Sequence, residues 1–174
     1  MHDILAAVEP LIPALRRYAR ALLRDRTAAD DLVHDCLERT ISRWHQRRGD
    51  GDARTWVFAI LHNLAVSRLR QAARRSAHVT LDDADEAALA RPGSQDAHLQ
   101  HGDLLRSLAA LPEDQRSVLL LISVEQLSYA DAARVLNVPI GTVMSRLSRA
   151  RERLHRLMDG ELPAPQRLPL RSVK

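Results

Sequence analysis

The sequence predicts an all-α protein: two small helical domains joined by a flexible linker, the second carrying a helix-turn-helix. Three observations carry that prediction. Hydrophobic residues make up 45% of the 174 residues but aromatics only 3%, so the core must be built from Ala, Leu, Val and Ile, a mixture that favours helices. Apolar residues recur at steps of three and four, the spacing of a helix with one buried face. The stretch Ser128–Met158 contains two such patterns, separated by Asn137-Val138-Pro139. Asn tolerates a left-handed backbone, and the residue before a proline is pushed out of the helical region.

Composition divides the chain into a first domain at 1–75, an acidic linker at 76–97, a second domain at 98–160 and a flexible tail at 161–174. The formal net charge is +4. Residues 1–75 carry 14 Lys/Arg against 9 Asp/Glu, and 76–100 carry 1 against 5. Two basic segments around an acidic one suggest a polyanion gripped at two places. Domains this small bury only about 60% of their unfolded surface, so each is marginal alone.

In the first domain, residues 3–24 read as a helix interrupted near Glu9-Pro10 and restarted through Pro13. Leu15, Tyr18, Ala19 and Leu22 form its buried stripe, with Arg16, Arg17, Arg20 and Arg24 outside. Thr27 with Asp30 has the spacing of a helix start, and a helix from Ala28 to about Gln46 follows, with Val33, Leu37, Ile41 and Trp44 on its core side. Asp31, Asp35 and Glu38 line another face, which on residue types alone is a solvated acidic surface near a helix N-terminus. Arg47-Arg48-Gly49-Asp50-Gly51-Asp52 is a loop, with Asp52 as N-cap of a helix from Ala53 to Arg75. Trp56, Val57, Ile60, Leu61 and Leu64 are the apolar face of that helix, and Asn63, Ser67, Arg70 and Arg74 a polar one. Trp56 and Phe58 suit a core better than a base-stacking platform.

Residues 76–97 are acidic, small and polar, broken by Pro92-Gly93-Ser94, and have too little apolar content for a third core. Beyond them, Leu99, Leu104, Leu105, Leu108 and Leu111 lead to Pro112, which opens a helix Pro112–Val124. These two helices should cover the apolar sides of the helix-turn-helix. Ser128 with Asp131 starts the first helix of that motif. The second helix sets Val143, Leu147, Ala150, Leu154 and Leu157 on one side, with Thr142, Ser145, Arg146, Arg149 and Arg153 opposite. From Gly141 to Arg156 it carries five arginines and one acid. Arginine-rich faces are commonly just solvated, but behind a capped helix and a tight turn this one suits phosphates and guanine edges.

Several function classes drop out. No run of about 18 apolar residues predicts membrane insertion, and the N-terminal segment lacks the pattern of a secretory signal. Cys36 is the only cysteine, which makes a cytoplasmic location the default. Eight histidines are scattered without metal-ligand spacing, and Cys36 lies on a helix expected to be packed. No catalytic residue, metal site or cofactor is expected, and the chain does not read as an enzyme.

Three segments together resemble a known family: LRRYARALLRDRTAADDLVHDCLERTISRW, RTWVFAILHNLAVSRLRQAARR, and LAALPEDQRSVLLLISVEQLSYADAARVLNVPIGTVMSRLSRARERL. In type, order and spacing they resemble a bacterial RNA polymerase sigma factor of the sigma-70 family, extracytoplasmic-function (ECF) type, over residues 11–75 and 104–157. The resemblance implies transcription initiation with core RNA polymerase at promoter DNA, by a chain monomeric when free and held by an anti-sigma factor until a signal. It makes Asp31, His34, Asp35 and Glu38 the polymerase-docking face. It places the capture of a flipped base at Arg48–Arg54, and the opened −10 strand along Asn63, Ser67, Arg70 and Arg74, with Arg54 as a further −10 contact. At the −35 element it implies Thr142, Met144, Ser145, Ser148 and Arg149 near bases or backbone, with Arg146 and Arg153 as phosphate clamps. Position 144, where the family commonly has a basic residue, holds Met144. Two rivals remain. A sigma mimic that sequesters an anti-sigma partner should have lost the recognition-helix arginines, which are present. A one-component helix-turn-helix regulator would need a ligand pocket or dimer helix within residues 1–100.

Overall fold

The computed structural model describes residues 2–47, 52–78 and 97–159. The acidic stretch 79–96, loop residues 48–51 and the tail from 160 onward lie outside the described residues, and with them the expected linker, most of the base-capture loop and the flexible tail. Every regular element among the described residues is helical, as the sequence predicts.

Helix α1 (His2–Val8) passes through a 3-10 turn at Glu9–Leu11 into α2 (Ile12–Leu23). Pro10 and Pro13 sit in the first turns of their segments, where a missing N–H costs nothing. Arg24 ends α2 in a left-handed conformation (φ 66°), its N–H bonded to the Arg20 carbonyl at 2.9 Å. Helix α3 (Arg26–Arg43) begins two residues earlier than expected. Asp25, not Thr27, caps it: the extended Asp25 accepts from the Ala28 N–H at 3.0 Å. A 3-10 turn at Trp44–Gln46 ends it.

Helix α4 (Ala53–His78) is capped by Asp52, whose carboxylate accepts from the N–H groups of Arg54 (3.1 Å) and Thr55 (3.2 Å). It runs three residues past the expected end. Helices α2, α3 and α4 pack around Leu15, Tyr18, Leu22, Leu32, Val33, Cys36, Val57, Phe58 and Leu61. The Tyr18 and Phe58 rings meet edge to face, 5.7 Å apart, a favoured aromatic arrangement. Trp44 and Trp56 pair in the same way at 6.1 Å. Ile41, expected in the core, is 56% exposed. Thr40 is buried in this last turn instead, its hydroxyl donating to the Cys36 carbonyl at 2.8 Å.

The second half begins with α5 (Ala97–Ala109) and α6 (Glu113–Leu119). The expected helix from Pro112 to Val124 changes character at Leu120, where a π-turn runs to Val124. Helices α5 and α6 both pack against α8 (Ile140–Met158), as does α7 (Tyr129–Leu136). Helix α7 also packs against α4. The buried residues of the two halves form one continuous core, from Leu15 through Phe58 to Leu121, Val135 and Val143.

Candidate nucleic-acid interface

The helix-turn-helix is built from local hydrogen bonds. The Ser128 Oγ accepts from the Asp131 N–H at 3.0 Å and donates to the Asp131 carboxylate at 2.5 Å. That bond above all, helped by Thr55 and Arg134, holds the Asp131 carboxyl below the usual carboxylate range. Asn137 closes α7 in the left-handed conformation (φ 52°, ψ 49°), with Val138 N–H bonded to Ala133 O at 3.1 Å. This is the backbone reversal expected of Asn at a helix C-terminus. Pro139, extended, then leads into α8.

Val143, Leu147 and Ala150 of α8 are buried, and Leu154 and Leu157 pack beside them. The opposite face presents Met144, Ser145, Ser148 and Arg149 to solvent, with Met144 50% exposed. Thr142 and Arg153 are half-buried. Arg149 lies back along its own helix, its Nε donating to the Ser145 carbonyl at 3.3 Å. Arg146 is held more firmly, with Nε 3.4 Å from an Asp114 carboxylate oxygen on α6. The resemblance implies a phosphate clamp there; to reach a phosphate this guanidinium must leave or share Asp114.

Along α4, Asn63, Ser67, Arg70 and Arg74 are all exposed, and Arg74 Nε donates to the Arg70 carbonyl at 3.4 Å. Arg54 does not join them. Nine residues separate it from Asn63, about two and a half helical turns, which puts the two on opposite sides of α4. Its Nη2 donates to the Glu125 backbone carbonyl at 2.6 Å and its guanidinium lies 5.8 Å from the Phe58 ring centre.

On α3, Asp31, His34 and Glu38 are exposed, with His34 Nε2 3.3 Å from Glu38. Ile41 continues that stripe, adding an apolar group to the acidic face. Asp35 is partly turned inward: Arg68 of α4 donates to its carboxylate at 2.5 Å and to the Ala28 carbonyl at 2.9 Å. Asp35 therefore ties α3 to α4. Asp35→Arg should lower stability by about 1 kcal/mol, since the pair is partly exposed and two guanidiniums would then face each other. Asp31→Arg should leave the thermal midpoint nearly unchanged, and parallel melting curves check both.

Cys36 is fully buried, and burial pushes its thiol up to about 12. At 3.7 Å from the Val57 carbonyl, it is a packed thiol rather than a nucleophile. Among the described residues no group of His, Cys, Asp or Glu is placed to hold a metal ion, and no helix is long and apolar enough to cross a membrane.

Sequence reasoning did not single out Glu125. Its carboxylate is fully buried and accepts two bonds from Arg17, at 2.9 and 2.8 Å. The only sequence signal was an acidic residue directly after an apolar run, and that pattern is common at helix ends.

A helical chain with a capped helix-turn-helix, an outward arginine face and a second polar helical face belongs to the class of DNA-binding transcription proteins. Comparison with known proteins narrows this. Residues 8–62 match the family described as the Sigma2 domain of PhyR, and residues 101–154 match Sigma-70, region 4. The ECF RNA polymerase sigma factor EcfG of Rhodopseudomonas palustris (strain TIE-1) is 36% identical, over 90% of this chain and 83% of that protein. The chain belongs to the ECF RNA polymerase sigma factors. The sigma factor RpoE of Bartonella quintana, solved with the anti-sigma factor NepR, has a similar structure: TM-score 0.75 and 32% identity, covering 93% of this chain and all of that one. PhyR of the same organism, described as an anti-anti-sigma factor, shares the fold at 18% identity and TM-score 0.56, covering 87% of this chain and 49% of that one.

Proposed function

We propose that this sigma factor directs core RNA polymerase to promoters by reading a −35 element with α8 and an opened −10 element with α4. The observation that carries the reading is the division of α8. Val143, Leu147 and Ala150 fix the helix in the core while Met144, Ser145, Ser148 and Arg149 stand outward on one side. Such a helix enters a major groove without disturbing its own domain. Arginines anchor the duplex by phosphate charge and base edges. Asn63, Ser67, Arg70 and Arg74 then line the path of bases that have left the stack, at a cost of a few kcal/mol per step that favours A·T-rich DNA. The polymerase supplies all bond-making chemistry.

Asp31, His34 and Glu38, with Ile41 beside them, form the docking face for the polymerase. The chain is a monomer when free and is held by an anti-sigma partner until a signal. The likeness to an RpoE solved with NepR supports such a partner.

Run-off transcription with core polymerase on a genomic library tests the reading. A defined set of start sites dependent on this chain is expected; assembled holoenzyme that initiates nowhere above the core background refutes it. One observation favours a second reading, a mimic that sequesters an anti-sigma partner: the match of residues 8–62 to the Sigma2 domain of PhyR. A mimic would give no specific transcripts. For the docking face, Asp31→Arg and Glu38→Arg together should weaken binding to purified core at least tenfold, about 1.4 kcal/mol. Unchanged affinity would remove this face from the interface.

A further inference from the structure

The outward side of α8 carries two large apolar side chains in the open. Ile140, the first residue of the helix, is 46% exposed, and Met144, one turn later, is 50% exposed. Four residues apart, they share one strip, about 40° from each other around the helix axis. Continued by four, the strip reaches Ser148, also exposed. At about 100° per residue, Met144 and Arg149 mark the two edges of an arc of about 140°, with Ser148 and Ser145 between them. That arc faces away from Val143, Leu147 and Ala150, which fix the helix in the core. Arginine and serine on it suit the charges, donors and acceptors of DNA. Met144 suits none of these.

We propose that Met144 is a specificity-determining residue that reads the C5-methyl group of a thymine in the −35 element, with Ile140 shielding its N-terminal flank; the assignment rests on α8 being the −35 recognition helix. The major-groove edges of the four base pairs present donors, acceptors and one apolar group, the thymine methyl. A thioether donates nothing and accepts only weakly. Against an adenine, guanine or cytosine edge it strips water from polar groups and returns no hydrogen bond, which costs free energy. Against the thymine methyl it buries two apolar surfaces together, which is favourable. Met144 is the fifth residue of α8, within the N-terminal part of a recognition helix that contacts base edges. Its unbranched side chain can adjust to the position of the methyl. Five arginines against one acid between Gly141 and Arg156 draw phosphates in around it, which makes duplex DNA, and not an apolar protein groove, the occupant of this strip.

Replacing thymine by uracil removes the methyl group and leaves base pairing and every hydrogen-bonding edge in place. Holoenzyme carrying the full chain is assayed for binding to templates in which each thymine of the preferred −35 element, on either strand, is exchanged in turn. At one thymine, uracil should weaken binding by about threefold to fourfold, the worth of one buried methyl; at the others it should change little. Met144→Ala should lower affinity for the thymine template by a similar factor and bind the thymine and uracil templates alike. Met144→Leu should keep the sensitivity, and Met144→Gln, similar in length but polar, should lose it. Because Met144 is exposed, all three variants should melt like the unaltered chain. A preferred element without a thymine, uracil tolerated at every position, or a methyl effect unchanged by Met144→Ala would each overturn the assignment. Those outcomes leave the preference for the chosen −35 element over a scrambled one intact. Failure of the promoter-reading proposal removes that preference altogether, and the assignment with it.

Discussion

Between pH 7 and pH 4 the folded chain should lose roughly 3 kcal/mol of stability through His62 alone, the linkage value of a histidine whose pKa falls by two to three units on folding. The His62 ring is 8% exposed, and its Nδ1 lies 3.0 Å from the Tyr18 hydroxyl. Burial first, then the positive charge of Arg146, lowers its pKa from 6.5 to about 4. The neutral ring is therefore the folded form, while the unfolded chain takes up a proton near 6.5. Between those values the unfolded state binds more protons, and stability falls as pH falls. Above 6.5 the term vanishes; below about 4 the loss is complete. Burial raises the pKa of Tyr18, which stays a hydroxyl throughout. Asp131, lowered from 3.8, adds acid sensitivity only at lower pH. Denaturant unfolding at pH 7, 5.5 and 4.5 checks this against His62→Gln, which can still bond Tyr18 but cannot titrate. By pH 4.5 the stability difference between the two proteins should have moved by about 2 kcal/mol, most of the total; a difference that ignores pH sinks the assignment.

His62 also shows where sequence reading stops. Its ring is buried beside the Tyr18 hydroxyl of α2 and feels the charge of Arg146 on α8, and neither relation follows from periodicity. Periodicity did reveal the elements. The stripe Leu15, Tyr18, Ala19, Leu22 is buried as read, and so are Val143, Leu147 and Ala150. Asn137 adopts the left-handed turn its residue type suggested, and Ser128 and Asp52 cap the helices they were expected to cap. The errors are local competitions. Asp25 won the cap of α3 because it accepts from the Ala28 N–H. Ile41 left the core because α3 tightens into a 3-10 turn and Trp44 pairs with Trp56. For the candidate site, which residues share a face was legible on α8 and on most of α4. That Arg54 lies opposite Asn63 was legible too, by counting about 100° per residue. The ties of Asp35 to Arg68, Arg146 to Asp114 and Arg17 to Glu125 were not. Each joins charged groups far apart in sequence, and a charge pattern gives no partner until the helices are packed.

Arg149→Ala and Arg153→Ala should separate the two kinds of DNA contact. Arg149 stands one turn beyond Ser145 on the exposed side of α8, bonded among the described residues to that residue's backbone carbonyl at 3.3 Å and, weakly, to its hydroxyl at 3.5 Å. Those bonds are within the helix and exchange for a base edge at little cost. Arg149→Ala should then weaken binding by about 1–3 kcal/mol, on the sequence it reads and little elsewhere. Arg153 lies a further turn along and is half-buried, which limits how far its head can extend into a groove. Arg153→Ala should weaken all sequences alike and reduce the salt slope by about 1. Arg146 is expected to fall between them, because removing it also strands Asp114. Both tests belong in the holoenzyme, on a template with the preferred −35 element and on a scrambled control. Equal losses on the two templates for Arg149→Ala would make it a phosphate contact. The base reading would then pass to Met144, Ser145 and Ser148, whose short or apolar side chains read by methyl contact and single hydrogen bonds.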